Sequence, residues 1–412
     1  MIKYEKITLA NGLRVIVHTD KLTPMVAVNV VYNVGSKQED PGKTGFAHLF
    51  EHLMFGGSAN VDDFDDYVQD AGGESNAMTN TDMTQFYEIL PAANIETALW
   101  LESDRMLQLS INEKVLRTQK NVVIEEFKEV CLNEPYGDMW HHLCGLAYTK
   151  HPYQWPTIGK ELSHIAQATL PDVKAFFDRF YTPDNAILVI AGNISTDEAF
   201  RLAEKWFGDI PRGDFELQPL PQEPIQTAPR SKIVHASVPA NAIYTAYPTL
   251  GRLSPKYYAA DLLSDVLANG RSSRFFQKLL KGTDYFNAID AYMSGTVDNG
   301  LMIIESKLMP NITFDQAKKV INQELDLIKN EPISPRVLEK LKNTTESSIA
   351  FSETSLLNKS SDLAYYELIG DAGLINLERE KYDQVTVSDI QEVANEIFDD
   401  NKINEVLYMI QV

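Results

Sequence analysis

Two apolar periods alternate along the chain. Short runs rich in Val, Ile, Leu and Phe, at Arg14–His18, Val26–Val34, Phe86–Leu90 and Ile187–Ala191, have the length and β-branched content of strands. Between them lie stretches with the 3.6-residue spacing of amphipathic helices. Several carry start signals. Ser110 with Glu113, and Ser195 with Glu198, have capping-box spacing, and Ser334-Pro335 reads as an N-cap followed by proline at the first helical position. Strands and helices mix without strict βαβ alternation, which predicts an α+β fold with largely antiparallel sheets.

One segment breaks this texture. Gly213 to Arg230 holds Pro219, Pro221, Pro224 and Pro229, so it can form neither helix nor central strand and is expected to be an extended linker. The parts on either side of it repeat one another. Leu170 to Ile194 reads as helix, turn and strand, and Val387 to Ile410 repeats that order; Asp172 matches Asp389 and Tyr181 matches Phe398, both at an offset of 217. Near the front of each part Met25–Ser36 resembles Asn241–Arg252, with Tyr32 matching Tyr247 at an offset of 215. The expectation is two homologous α+β domains, each a mainly antiparallel sheet packed with helices, over residues 1–212 and 231–412 and joined by the linker 213–230.

Composition narrows the partners. With 58 acidic against 37 basic residues the formal charge is −21, which suits neither phosphate backbones nor anionic membranes, since both need clustered Lys and Arg. Neither nucleic acid nor membrane is an expected partner. Two cysteines, Cys131 and Cys144, cannot build a disulfide framework or a four-cysteine zinc site. The amino terminus has no long apolar stretch behind a basic start, and nowhere do about 18 uncharged apolar residues run together. A cytoplasmic protein is expected, or a periplasmic one if a leader has been removed.

The densest chemical signal is Gly45 to Gly57, which contains His48-Leu49-Phe50-Glu51-His52. On a helix His48 and His52 lie one above the other, the arrangement two imidazoles need to share a metal, and Glu51 beside them can reach a metal-bound water. Ala47, Leu49, Phe50, Leu53 and Met54 are all apolar, so the polar face sits in a dry interior where it needs compensation. A divalent metal supplies it. The other six histidines, His18, His141, His142, His151, His164 and His235, read as structural.

A catalytic zinc takes three protein ligands and leaves one position for water. Val115 to Val130 offers Glu125, Glu126 and Glu129 as the third. Taking Val115, Val122, Val123 and Val130 as the apolar stripe, Glu126 falls inside it, Glu125 lies about 120° from its centre and Glu129 roughly 80°. Glu126 is therefore the candidate ligand. Gln119 shares its face and could orient a ligand by hydrogen bonding.

The HxxEH order is the inverzincin arrangement, and the chain resembles the pitrilysin family of zinc peptidases. The resemblance runs over nearly the whole chain. It takes in Gly72-Gly73-Glu74-Ser75-Asn76-Ala77-Met78-Thr79, then Gln119 to Glu126, His151-Pro152-Tyr153 to Ile158-Gly159, and Phe207 to Gly213. It implies zinc, one ion per chain, on His48, His52 and Glu126, with Glu51 as general base. It further implies that Asn76, Ala77 and Met78 form a strand edge to which substrate adds by backbone hydrogen bonds, and that two pairs of duplicated domains close around a chamber admitting unfolded peptides.

The second part departs from the family pattern. Where active members have an Arg and, seven residues later, a Tyr that hold substrate, this chain has Leu280 and Asn287; Arg274 and Tyr285 lie nearby at the wrong spacing. The segment equivalent to the HxxEH helix, Tyr257 to Gly270, has no histidine. The leading expectation is a zinc endopeptidase subunit completed by a homologous partner in a heterodimer. The alternatives are a homodimeric peptidase, a non-catalytic scaffold or peptide-binding subunit, and a metal hydrolase of small substrates.

Overall fold

The structure, a computed structural model, describes residues 1–411. Among these residues eleven strands form two sheets, each the centre of its own compact unit. The first unit comprises Met1–Phe127, Trp155–Leu220 and Ile349–Leu377. Its sheet holds β1 (Glu5–Thr8), β2 (Arg14–Thr19), β3 (Met25–Tyr32), β4 (Glu74–Thr79), β5 (Thr84–Pro91) and β6 (Ala186–Gly192) in the order β1-β2-β6-β3-β5-β4. Only β2 and β6 pair in parallel.

Strand side chains alternate between two cores, as the pleat requires. Val15, Val17, Val28, Val30, Leu188 and Ile190 join the core that also holds Leu49, Phe50 and Leu53. Ile16, Val31, Ile187 and Val189 face the other way, into a core with Leu363, Ala364 and Tyr366. Covered on both faces, β6 is buried at every position, which is why its sequence is an unbroken apolar run. The second core depends on the helix Leu356–Ile369, supplied from far later in the chain. Ser360 and Ser361 of that helix accept from Asn29 Nδ2 at 3.3 and 3.2 Å, giving partners to the amide nitrogen of a residue buried in β3.

The second unit comprises Lys128–Gln154, Pro221–Ser348 and the residues from Glu378 onward. Its strands are β7 (Arg230–Ala236), β8 (Ala242–Pro248), β9 (Phe286–Met293), β10 (Leu301–Leu308) and β11 (Asn404–Ile410), in the order β7-β11-β8-β10-β9. This repeats β2-β6-β3-β5-β4, including the single parallel pair, here β7 with β11. The duplication reaches down to caps. The helices Leu170–Phe180 and Val387–Ile397 open with capping boxes, Thr169 with Asp172 and Thr386 with Asp389, and each leads through a short 3₁₀ turn into its strand.

Each unit is thus α+β with a mainly antiparallel sheet, but neither is contiguous. The chain passes from one to the other between Leu220 and Pro221, inside the Pro-rich segment, and again after Phe127, Gln154, Ser348 and Leu377. The expectation of domains over 1–212 and 231–412 lacks these further crossings. Their physical reason is exchange: Leu356–Ile369 covers the first sheet, while the earlier helix Met139–Ala147 covers the second, packing Leu143 and Ala147 with Tyr244, Ala246, Val406 and Tyr408. The Pro-rich segment itself contains neither helix nor strand through Pro229. Glu223 pins it, accepting backbone N–H bonds from Thr149, Lys150 and His151 at 2.8 to 3.0 Å.

The helix starts were legible, with one shift. Ser195 Oγ accepts from Glu198 N, and Ser334 Oγ from Val337 N ahead of a helix beginning at Pro335. The helix expected to start at Ser110 begins at Glu113, because Asn112 Oδ1 takes the N–H groups of Lys114 and Val115.

Candidate metal centre

After β3 the chain turns into the eight-residue helix Phe46–Leu53. Phe46, Ala47, Leu49, Phe50 and Leu53 are buried, with Phe50 stacked on Phe176 and Tyr181 at ring-centroid distances of 5.1 and 5.0 Å. That leaves His48, Glu51 and His52 as the half-buried polar face. The start of the helix is tightly held. Gly45 is left-handed (φ 86°), and a Cβ there would lie 2.8 Å from the Ile158 carbonyl oxygen, so only glycine fits. Thr44 is tied to His164 Nδ1 through its hydroxyl at 2.8 Å. Glu39, buried, accepts from Gly45 N at 2.9 Å, Ala47 N at 2.8 Å and Trp155 Nε1 at 3.1 Å.

The helix Glu113–Phe127 packs against this one and brings Glu126 to it. Its buried stripe is Leu116, Val123 and Phe127, whereas Val122 and Val130, two of the four valines assigned to the stripe from sequence, are exposed. The stripe is therefore rotated from the expected one. Glu126 sits half-buried at its edge while Glu125 and Glu129 are exposed, so the same glutamate faces the histidines.

His48 Nε2 and His52 Nε2 stand 3.4 Å apart, and the Glu126 carboxylate reaches them at 3.6 and 3.3 Å. One donor atom from each residue lies within 4.8 Å of the others, and no other group of three or more His, Cys, Asp or Glu among the described residues is so arranged. Electrostatics prepares the donors. Burial lowers the His48 pKa, favouring the neutral imidazole a metal needs, and the hydrogen bond from His52 holds the Glu126 carboxyl below the usual carboxylate range. Two imidazole lone pairs and a carboxylate facing one small space fit a divalent cation, and Glu126 has no Lys or Arg partner among the described residues.

The other anticipated residues divide. Gln119 is half-buried two turns before Glu126, but no hydrogen bond joins it to either histidine, and His48 Nδ1 is buried without a partner. Asn76, Ala77 and Met78 lie on β4, which is an edge strand bonded only to β5 and packed beside the HxxEH helix. The Ala77 N–H is taken by the Asn76 side chain at 2.8 Å. Sequence reasoning missed Glu39 and Trp155, because no local spacing rule links them to a helix that opens on glycine.

In the second unit the equivalent helix, Tyr257–Ala268, buries Ala259, Ala260, Leu262 and Leu263, with no histidine among its residues. Arg274 is committed to Glu324 through Nε and Nη2 at 3.1 and 2.8 Å. Asn287 donates to the Leu308 carbonyl, and Leu280 is half-buried.

Taken together, the duplicated α+β units and the HxxEH helix define a two-domain protein of metallopeptidase type. Residues 14–160 match the family model described as Insulinase (Peptidase family M16), and residues 167–345 match Peptidase M16 inactive domain. The chain is 31% identical over 98% of its length to the Zinc protease PqqE of Helicobacter pylori, covering 92% of that protein. It is 26% identical over 92% of its length to the uncharacterized zinc protease YmxG of Bacillus subtilis, covering 94% of it. The crystal structure of a protease from Helicobacter pylori superimposes with a TM-score of 0.94 at 29% identity, covering 99% of this chain and 100% of that one. The periplasmic protease PqqL from Escherichia coli shares the fold, with a TM-score of 0.81 at 18% identity over 99% of this chain, which spans 47% of that one. The chain belongs to peptidase family M16, the insulinase or pitrilysin family.

Proposed function

We propose that the chain is a zinc-dependent endopeptidase subunit that cleaves unfolded peptides inside a chamber completed by a homologous partner chain. The observation that carries this reading is the convergence of His48, His52 and Glu126 from two helices within 4.8 Å, with Glu51 on the same helix as the two histidines. The relatives' names, zinc proteases, support the metal and the chemistry.

His48 Nε2, His52 Nε2 and a Glu126 carboxylate oxygen would hold the ion, one per chain. When bound, zinc supplies Lewis-acid polarisation of the scissile carbonyl and makes water a nucleophile near neutral pH. The remaining work falls to side chains. The Glu51 carboxylate takes the proton of the attacking water and delivers it to the leaving amine nitrogen. The exposed edge of β4 at Asn76–Met78 receives the peptide as an added strand; the Asn76 side chain leaves the Ala77 N–H as it does so. Affinity then comes from backbone bonds, with little selection for sequence.

A partner is proposed because the positions of the family's Arg and Tyr hold Leu280 and Asn287 in this chain. Leu280 cannot donate a hydrogen bond, and the Arg274 fork is held by Glu324. The PqqL chain, about half of which this chain matches, supports an assembly of two such lengths. The test is hydrolysis of an unstructured peptide by the zinc-loaded chain, alone and with a homologue bearing the Arg and Tyr. Activity should require the pair and fall by about 10²–10⁴-fold in Glu51→Gln. Full activity of the isolated chain contradicts the heterodimer, and unchanged activity of Glu51→Gln contradicts the mechanism.

A further inference from the structure

We infer that Glu39 is a positioning residue for the metal centre: by capping the HxxEH helix from outside, it fixes where His48 stands. This rests on the proposed metal-binding role of that helix. The four leading N–H groups of a helix have no partner within it, and here the first internal bond is Leu49 N to Gly45 O at 2.9 Å. Elsewhere in the chain Asp63, Thr169, Ser195, Thr313, Ser355 and Thr386 cap their own helices. Gly45 cannot, and the Ile158 carbonyl leaves no room for a side chain there. The Glu39 carboxylate does the task instead, one oxygen on Gly45 N and the other on Ala47 N, braced by Trp155, whose Nε1 also reaches the Ser36 carbonyl at 3.0 Å.

Two features make this more than an ordinary cap. Glu39 is only 5% exposed, burial pushes its carboxyl up to about 8, and no Lys or Arg is ion-paired to it among the described residues, so it acts through the hydrogen bonds it accepts from backbone and indole N–H groups. The helix has eight residues and His48 is the third, so fraying of the first turn moves a ligand directly.

The experiment is a Zn²⁺ competition titration against a chromophoric chelator, with Co²⁺ absorption spectra and thermal melts, on the full chain. The variants are Glu39→Gln, Glu39→Ala and the control Leu363→Ala, which truncates a side chain in the core on the opposite face of the same sheet. Glu39→Gln keeps the shape but turns an amide N–H toward a backbone N–H. Zinc affinity should fall about 10- to 100-fold in Glu39→Gln, with altered Co²⁺ bands, while Leu363→Ala melts earlier and keeps wild-type affinity. Wild-type zinc affinity in both Glu39 variants overturns the inference alone, as does an equal loss of affinity in Leu363→Ala. Absence of Zn²⁺ and Co²⁺ binding by the wild-type chain overturns the functional reading as well.

Discussion

At the residue scale, burial decides which groups are reactive. It lowers the pKa of His48, whereas the bond from His52 lowers that of Glu126, so the two are complementary as neutral and anionic donors. The same force silences the cysteines. Cys131 and Cys144 are both buried and neither forms a disulfide, and burial pushes the Cys144 thiol up to about 12. At pH 8 that leaves roughly one thiolate in ten thousand, far too few for rapid modification. A disulfide reagent at pH 8 should therefore react quickly with neither thiol of the native chain and with both after denaturation. Prompt labelling of Cys144 in the native chain would contradict its burial.

At the element scale, the paired capping boxes make a quantitative statement about the duplication. Thr169 and Thr386 each accept from the third residue of their helices, Asp172 and Asp389, which bond back. Substitution of either by alanine should cost about 1 kcal/mol, read from urea midpoints of far-ultraviolet ellipticity. A cost near zero at one site would mean that its box is not formed. These boxes belong to the helix-turn-strand repeat, and that repeat was legible because caps, turns and strands are local signals. The HxxEH face was legible for the same reason, since two histidines four residues apart need only a helix to meet. The orientation of the Glu113–Phe127 helix was not. Val122 and Val130 resemble core residues in periodicity, yet Leu116, Val123 and Phe127 are the side chains that tertiary packing buries. Glu126 faces the histidines under either assignment because it borders both stripes.

At the scale of the whole molecule, the chain order hides how the units are built. Nothing local in Leu356–Ile369 says that its apolar face belongs on β3 and β6, nor in Met139–Ala147 that it belongs on β8 and β11. The Pro-rich segment marks one crossing between units and is silent on the others. A fragment of residues 1–212 should therefore fail to fold cooperatively. It leaves Ile16, Val31, Ile187 and Val189 uncovered, and Asn29 without Ser360 and Ser361. Circular dichroism and a urea titration of the fragment would report this, and a cooperative transition at wild-type denaturant concentration would argue that the exchanged helix is dispensable. The positions of the family's Arg and Tyr, Leu280 and Asn287 here, lie in the second part of the chain, and on them rests the proposal of a homologous partner.

The most direct measurement is an anomalous difference map at the zinc absorption edge from crystals of the zinc-loaded chain. One peak per chain is expected, about 2.0–2.2 Å from His48 Nε2, His52 Nε2 and a Glu126 carboxylate oxygen. A map with no peak there, or with its principal peak elsewhere in the chain, would contradict it.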